Sequence, residues 1–303
     1  MKVLVSGATG LVGSELVPSL TSQGHEVLRL TRRQAEEAHD IRWDPTRKEL
    51  PKGRLEGTDV VIHLAGENLS QKRWSPQFKQ TLRSSRIDAT RFLCETLAQL
   101  KSPPKTLIAA SAVGYYGDRG RDLLNETSPP GTGFLADLCK EWEAACEPAR
   151  AEGIRVVNLR FGVILSPKGG ALAKMLTPFK LGGGGVIGSG NQYWSWIAIE
   201  DVVGAIQHCM THEKISGPVN VTAPSPATNY DFTKTLGSVL NRPTIVPMPA
   251  FVARTVLGEM ADELLLSSAR VMPNRLSETG YRFAYPSLEP ALKHALAPQP
   301  AKH

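Results

Sequence analysis

The sequence predicts an α/β fold, a doubly wound parallel sheet joined to a smaller C-terminal substrate lobe. Three observations carry that reading. Short β-branched runs alternate with helical stretches over the first 165 residues. A glycine-rich turn, VSGATGLVGSELV at 5–17, follows the first of those runs directly. Beyond 165 the texture becomes irregular and rich in glycine and proline. A chain of 303 residues is long enough for one large α/β domain or two lobes.

Taken in order, KVLVS (2–6) is an apolar strand with valines at alternate positions, and residues 11–23 read as a helix stopped by Gly24. Pro18 conflicts with that helix and predicts a kink or a loosened turn. EVLRL (26–30) and IRW (41–43) are the next two strands. DVVIHLA (59–65) is a near-continuous apolar run, as expected of a strand covered on both faces. Leu82, Ile87, Phe92, Leu93 and Leu97 give residues 76–100 an apolar stripe, hence a long helix. TLIAAS (106–111) is a buried strand, 134–152 a helix and RVVNLR (155–160) a further strand.

Residues 168–192 are glycine-rich around one short helix, 194–210 pass from strand into helix, and GPVNVTAP (217–224) is a strand. Short helices punctuated by prolines follow. The expected division is 1–165 with 191–224 as the sheet domain, 166–190 with 225–297 as the smaller lobe, and 298–303 as a frayed tail.

Composition excludes several classes. Hydrophobic residues at 41% and charged residues at 21% describe a globular chain rather than a disordered one. The net charge of +6 is scattered, which suits an enzyme with phosphorylated ligands better than a nucleic-acid binder. Four cysteines without a CxxC pair read as reduced, buried thiols, not as a disulfide frame or a metal site. The N-terminal run reaches glycine too soon for a signal peptide, and no apolar run suits a membrane helix. A cytoplasmic protein with a small-molecule substrate is expected, without nucleic-acid or membrane partners and with its oligomeric state open.

The glycines at 7, 10 and 13 sit between strand and helix, the context that makes such a triplet a Rossmann-type nucleotide cradle. Gly7 takes the tight turn, Gly10 lets backbone approach a pyrophosphate, and Gly13 lets the helix pack closely. The amides of Leu11, Val12 and Gly13 then face the phosphates at the positive end of a helix. At the end of the second strand, where an NAD site carries an acid, stand Thr31, Arg32 and Arg33. Two guanidiniums and a hydroxyl suit a 2′-phosphate, so the expected cofactor is NADP(H).

GATGLVG, HLAGENL (63–69), ASAVGYYGD (110–118), WEAA (142–145), LRFGVILS (159–166), SWIAIED (195–201) and the tail GYRFAYPSLEPALK (280–293) continue the pattern. With these motifs the chain resembles the extended and atypical short-chain dehydrogenase/reductases, and among them the "epimerase family" proteins. The resemblance covers nearly the whole chain. It implies that Thr9, Gly10, Leu11, Val12 and Gly13 hold the pyrophosphate, and that Thr31 with Arg32 holds the 2′-phosphate. Leu64, Ala65 and Gly66 would line the dinucleotide, Thr81 and Arg86 would meet its phosphate side, and Gly162, Val163 and Ile164 would run beside the nicotinamide.

Active members of that superfamily use a Y-x-x-x-K pair with a Ser or Thr from the preceding strand. Ser111 stands at the Ser position, but the alignment puts Leu135 and Cys139 where Tyr and Lys belong, with Lys140 read as a surface residue. Leu has no proton to give. Tyr116 is the candidate replacement phenol, and Glu67 and Asn68 are candidate acid, base or substrate anchors. Tyr193, Trp194 and Trp196 are expected to wall the substrate cleft beside the 182–190 loop, and Asp201 to cap the helix that follows it. The functional expectation is an NADP(H)-dependent oxidoreductase or epimerase-like protein; the alternative is a catalytically impaired NADP sensor.

Overall fold

Alternating burial decides the architecture. On β1 (Lys2–Ser6), Val3 and Val5 join one apolar cluster and Leu4 joins another, all three without solvent exposure. A strand buried on both faces needs helices above and below it. The computed structural model, which describes residues 1–33 and 37–297, supplies them. The expected frayed tail at 298–303 lies outside the described residues.

Strands β2 (Glu26–Thr31), β3 (Asp40–Arg42), β4 (Val60–His63) and β5 (Thr106–Ala112) assemble with β1 in parallel. After a short β6 (Leu123–Leu124), β7 (Arg155–Phe161) adds to the sheet beside β5. The brief strands β8 (Val163–Leu165), β9 (Tyr193–Trp194) and β10 (Trp196–Ala198) stand apart from it, and β11 (Gly217–Val221) completes it beside β7. The seven strands run in the order β11-β7-β5-β4-β1-β2-β3. The chain reverses direction across the sheet between β1 and β4, so ligands belong beyond the carboxyl ends of those strands.

On one face, α1 (Gly13–Ser22) packs Leu16 and Leu20 against Val3, Val5 and Ile62. The long helix expected over 76–100 is present as α2 (Pro76–Arg83) and α3 (Ala89–Leu97), joined by one π-helical turn over Ser84–Asp88. Leu93 and Leu97 of α3 cover the opposite face over Leu4, Val61 and Leu107. The single helix expected at 134–152 is two, α4 (Phe134–Ala144) and α5 (Glu147–Ala151). Pro148 explains the break: its ring is tolerated in a first helical turn and not in an interior. Pro18, in contrast, lies inside an unbroken α1. Gly24 ends that helix at φ +80°, with His25 N–H reaching back to the Leu20 carbonyl at 3.1 Å.

In the smaller lobe, α6 (Gly170–Lys180) precedes β9, α7 (Ile199–Thr211) returns to the sheet, and α8 (Asn229–Leu240) and α9 (Ala250–Leu257) follow. Leu172, Phe179, Phe232 and Leu292 share one core with Trp194 and Trp196. β9 pairs with β12 (Ala227–Thr228) and β10 with β8, and Ile197 packs in the sheet core with Val5 and Leu159 while Trp194 and Trp196 face the lobe core. β13 (Arg270–Val271) pairs with β6. Among the described residues no helix is long and apolar enough to cross a membrane. All four cysteines are free and buried.

Candidate functional site

Gly7 leaves β1 at φ +72°, where a side chain is strained. A Cβ on it would stand 2.8 Å from the Leu64 carbonyl carbon and 2.9 Å from the Ala65 nitrogen. One on Gly13 would collide with the Gly7 carbonyl oxygen. Gly10 is different: its φ is ordinary and the only neighbour of an added Cβ, the Gly7 oxygen, is 3.2 Å away. Two glycines are therefore required by the protein's own packing, and the middle one is less crowded, with a single tight contact to the Gly7 oxygen. The Leu11 and Val12 amides donate to no described residue. They are the free donors that a helix start leaves for an anion.

At the end of β2, the Thr31 hydroxyl accepts from the Arg33 amide at 3.2 Å. Arg32 projects beside it, its side chain 77% exposed, and its Nη1 lies 4.0 Å from the Glu67 carboxylate. Glu67, expected at the substrate, thus stands on the arginine side of the cradle. Its carbonyl accepts from Arg86 Nη2 at 2.8 Å and its amide donates to Ser85 Oγ at 3.2 Å. Arg86 itself is buried on the π turn, over the Trp142 ring and against Gly66, with its pKa lowered by burial. Among the described residues it forms no surface ion pair. Thr81 is exposed on α2 and its hydroxyl donates to its own helix at Gln77.

Beneath Leu64 and Ala65 runs a buried polar chain that sequence reading missed. Ser6 Oγ accepts from both amides, at 3.1 and 3.3 Å, so its own hydrogen goes to His63 Nδ1 at 2.6 Å. His63 then carries its proton on Nε2 and donates to Thr90 Oγ1 at 3.0 Å, where the Trp142 indole also donates. Burial pushes the His63 pKa down to about 4, keeping the ring neutral. The parallel register sets Ser6 opposite His63 and so builds the floor of the cradle.

The far wall begins where β7 ends. Phe161, Gly162, Val163 and Ile164 are all half-buried. Leu11 reaches the turn at Gly169 and Gly170, and Lys168 pairs with Glu15 of α1 at 2.6 Å. Residues 162–170 are thereby drawn against the glycine turn.

The α4 helix lies against the end of β5. Leu135 and Cys139 are buried there beside Gly114, and burial raises the Cys139 thiol to about 12. Lys140 is a surface residue near Asp137. One turn beyond Cys139, Glu143 accepts from Ser111 Oγ at 2.7 Å and takes a two-pronged ion pair from Arg160 at 2.7 and 2.8 Å. Arg160 continues to the Tyr116 hydroxyl at 2.9 Å, which also contacts Asn220 Oδ1 at 2.7 Å and the Asn125 carbonyl at 2.9 Å. Tyr116 has no solvent exposure, and burial raises its phenol to about 12. The catalytic expectation for Tyr116 is corrected on that ground: its hydroxyl is enclosed by protein partners.

The substrate expectations fare unevenly. Trp196 is fully buried in the lobe core with its indole donating to Ser225, so it lines no cleft. Tyr193 is half-buried at the base of β9. Asn68 is exposed and its amide oxygen accepts twice from Ser70, ordering its own loop. Asp201 does not cap α7; its buried carboxylate accepts the Ala284 and Tyr285 amides at 2.7 and 2.9 Å and fastens the C-terminal segment. A distant acid does the capping at α4: Glu263 accepts the Phe134 and Leu135 amides at 3.0 and 3.1 Å.

Known proteins resemble this chain in sequence and fold. The profile of the NAD dependent epimerase/dehydratase family matches residues 3–222, and that of a domain of unknown function, DUF1731, matches 248–295. The Mycobacterium tuberculosis epimerase family protein MT2273 is 43% identical over 293 residues, covering 97% of both chains. Human epimerase family protein SDR39U1 is 37% identical over 98% of this chain and 100% of its own. The crystal structure of the human protein's isoform 2 with NADPH superposes with a TM-score of 0.90 at 36% identity, covering 97% of this chain and 98% of that one. UDP-N-acetylglucosamine 4-epimerase from Bacillus cereus, at 18% identity and a TM-score of 0.76 over 97% of this chain and 98% of its own, shares the fold.

Proposed function

The chain belongs to the NAD dependent epimerase/dehydratase family, and from that premise we propose that it is an NADP(H)-binding oxidoreductase or epimerase acting on a small polar substrate. The observation that carries this reading is the glycine cradle closed by the Leu64–Ala65 backbone, with exposed Arg32 and no acid at the end of β2. The NADPH-bound human relative supports the same choice of nucleotide.

The residues fit such a cofactor. The free Leu11 and Val12 amides would bind the pyrophosphate, Arg32 and Thr31 the 2′-phosphate, and the strip at Gly162–Ile164 would border the nicotinamide. When bound, the cofactor supplies hydride chemistry to a substrate carbon. The chain's part is to hold the dinucleotide rigidly on the floor built by Ser6, His63 and Thr90, and to shape a cleft between the sheet and the smaller lobe.

A second reading, an NADP sensor without turnover, is favoured by one specific arrangement. Leu135 and Cys139 occupy the helix face where a Tyr and Lys pair belongs, and the Ser111 and Tyr116 hydroxyls are engaged internally. The two readings part in one experiment. NADPH oxidation screened over carbonyl compounds and nucleotide sugars supports the enzyme if any class turns over; tight NADPH binding with no turnover in any class supports the sensor.

A further inference from the structure

Among the described residues, three buried side-chain polar atoms have no hydrogen-bond partner: Thr58 Oγ1, Asn229 Nδ2 and Arg270 Nε. Only Arg270 is charged. Other guanidiniums withdrawn from solvent have acceptors: Arg160 has the Glu143 carboxylate, Arg155 the Ile215 and Cys209 carbonyls, and Arg86 the Glu67 carbonyl. Arg270 pairs with no described carboxylate. Leaving a cationic N–H without an acceptor and away from water is costly, and such orphans mark places where an acceptor arrives from outside.

The surroundings say where that place is. Ser195 Oγ donates to the Ala269 carbonyl at 2.7 Å and accepts from the Val271 amide at 2.9 Å, clamping Arg270 from both sides. The Ser195 carbonyl accepts from Val163 N–H at 2.7 Å and presses on Gly162, where any Cβ would collide with it. Arg270 is thus built against the carboxyl end of β7. Its guanidinium carbon lies 5.1 Å from the centre of the Tyr193 ring. The Nε–H and Nη–H of a guanidinium share one edge, whose spacing matches two oxygens of one oxyanion.

We propose that Arg270, steadied by Tyr193, anchors an oxyanion of the substrate, a carboxylate or a phosphoryl group. The proposal rests on the reading of Gly162–Ile164 as the nicotinamide border. That border places the anion near the reacting carbon rather than at a remote nucleotide, and favours carbonyl or hydroxy compounds that carry a carboxylate.

The test titrates the full chain loaded with NADP+ with 2-oxo acids of graded length, their matched 2-oxo amides, and inorganic phosphate. The same titrations are run on Arg270→Gln and Arg270→Lys, with NADPH affinity and urea midpoint measured on each variant. The expected result is that acids bind at least about ten-fold more tightly than amides. Arg270→Gln should erase that difference and Arg270→Lys restore part of it, with NADPH affinity unchanged. Phosphate binding more tightly than every acid, with the same dependence on Arg270, identifies a phosphoryl group as the anchored oxyanion. Equal binding of acids and amides, no anion binding at millimolar concentrations, or an unaltered preference in Arg270→Gln overturns the proposal. If NADPH does not bind, the proposed function fails, while the acid titration of the nucleotide-free chain still reports on Arg270.

Discussion

Ser111 donates its hydroxyl hydrogen to Glu143 at 2.7 Å, and Glu143 is held by Arg160 from the other side. This ties the end of β5 to α4 and to β7 through a buried charge pair. Removing one partner of such a pair leaves the other charge unmatched. Glu143→Ala should therefore cost about 3–5 kcal/mol, since the Arg160 side chain is 3% exposed. Ser111→Ala, which leaves the ion pair intact, should cost about 1.5–3 kcal/mol. Urea denaturation of both variants checks the order; equal costs would show that the ion pair contributes little.

The three glycines should separate by what each change damages. Gly7→Ala and Gly13→Ala meet backbone atoms of the protein itself, so both should lower stability as well as nucleotide affinity. Gly10→Ala meets one backbone oxygen at 3.2 Å rather than several closer atoms, so its urea midpoint should fall least of the three while NADPH affinity falls at least about ten-fold. An unfolded Gly10→Ala would place the glycine's role in packing.

His63 makes stability depend on pH in a defined window. Its pKa is about 4 in the folded chain against 6.5 for the unreacted side chain, so the unfolded state binds the proton first as pH falls. Stability from this group is fully present above 6.5, declines between 6.5 and about 4, and is level below that. The total is about 3 kcal/mol. Urea midpoints measured across that interval should show the slope, and His63→Gln should flatten it.

Glu67 and Arg32 attract one another at 4.0 Å across the expected 2′-phosphate position. An acid there opposes a second anion, so Glu67→Gln should raise NADPH affinity a few-fold and leave NADH nearly unchanged. Equal gains for both nucleotides would remove Glu67 from the choice between them.

What the sequence disclosed follows the range over which each residue acts. Gly7, Gly10 and Gly13 lie within one turn, and Thr31–Arg33 within one strand end, so spacing alone brings both forward as parts of the proposed nucleotide site. The seven-strand sheet was legible because doubly buried strands leave continuous apolar runs such as VVIH. Glu263 caps a helix 129 positions from it and Arg270 lies on a ring 77 positions away, across loops that no local pattern predicts. Trp196 was misread as a cleft wall because an aromatic residue in a lobe core and one in a cleft look alike in sequence. Glu143 was within reach: residues 135, 139 and 143 share one helix face, and the third carries the charge.

As proposed, the cradle at 7–13, the arginine at 32 and the 64–65 backbone together form an NADP(H) site. Titration of the chain with NADPH and NADH, followed by nucleotide fluorescence, tests it most directly. NADPH should bind at least about ten-fold more tightly than NADH, with the difference lost in Arg32→Gln. Equal affinities for the two nucleotides, or binding of neither, would contradict it.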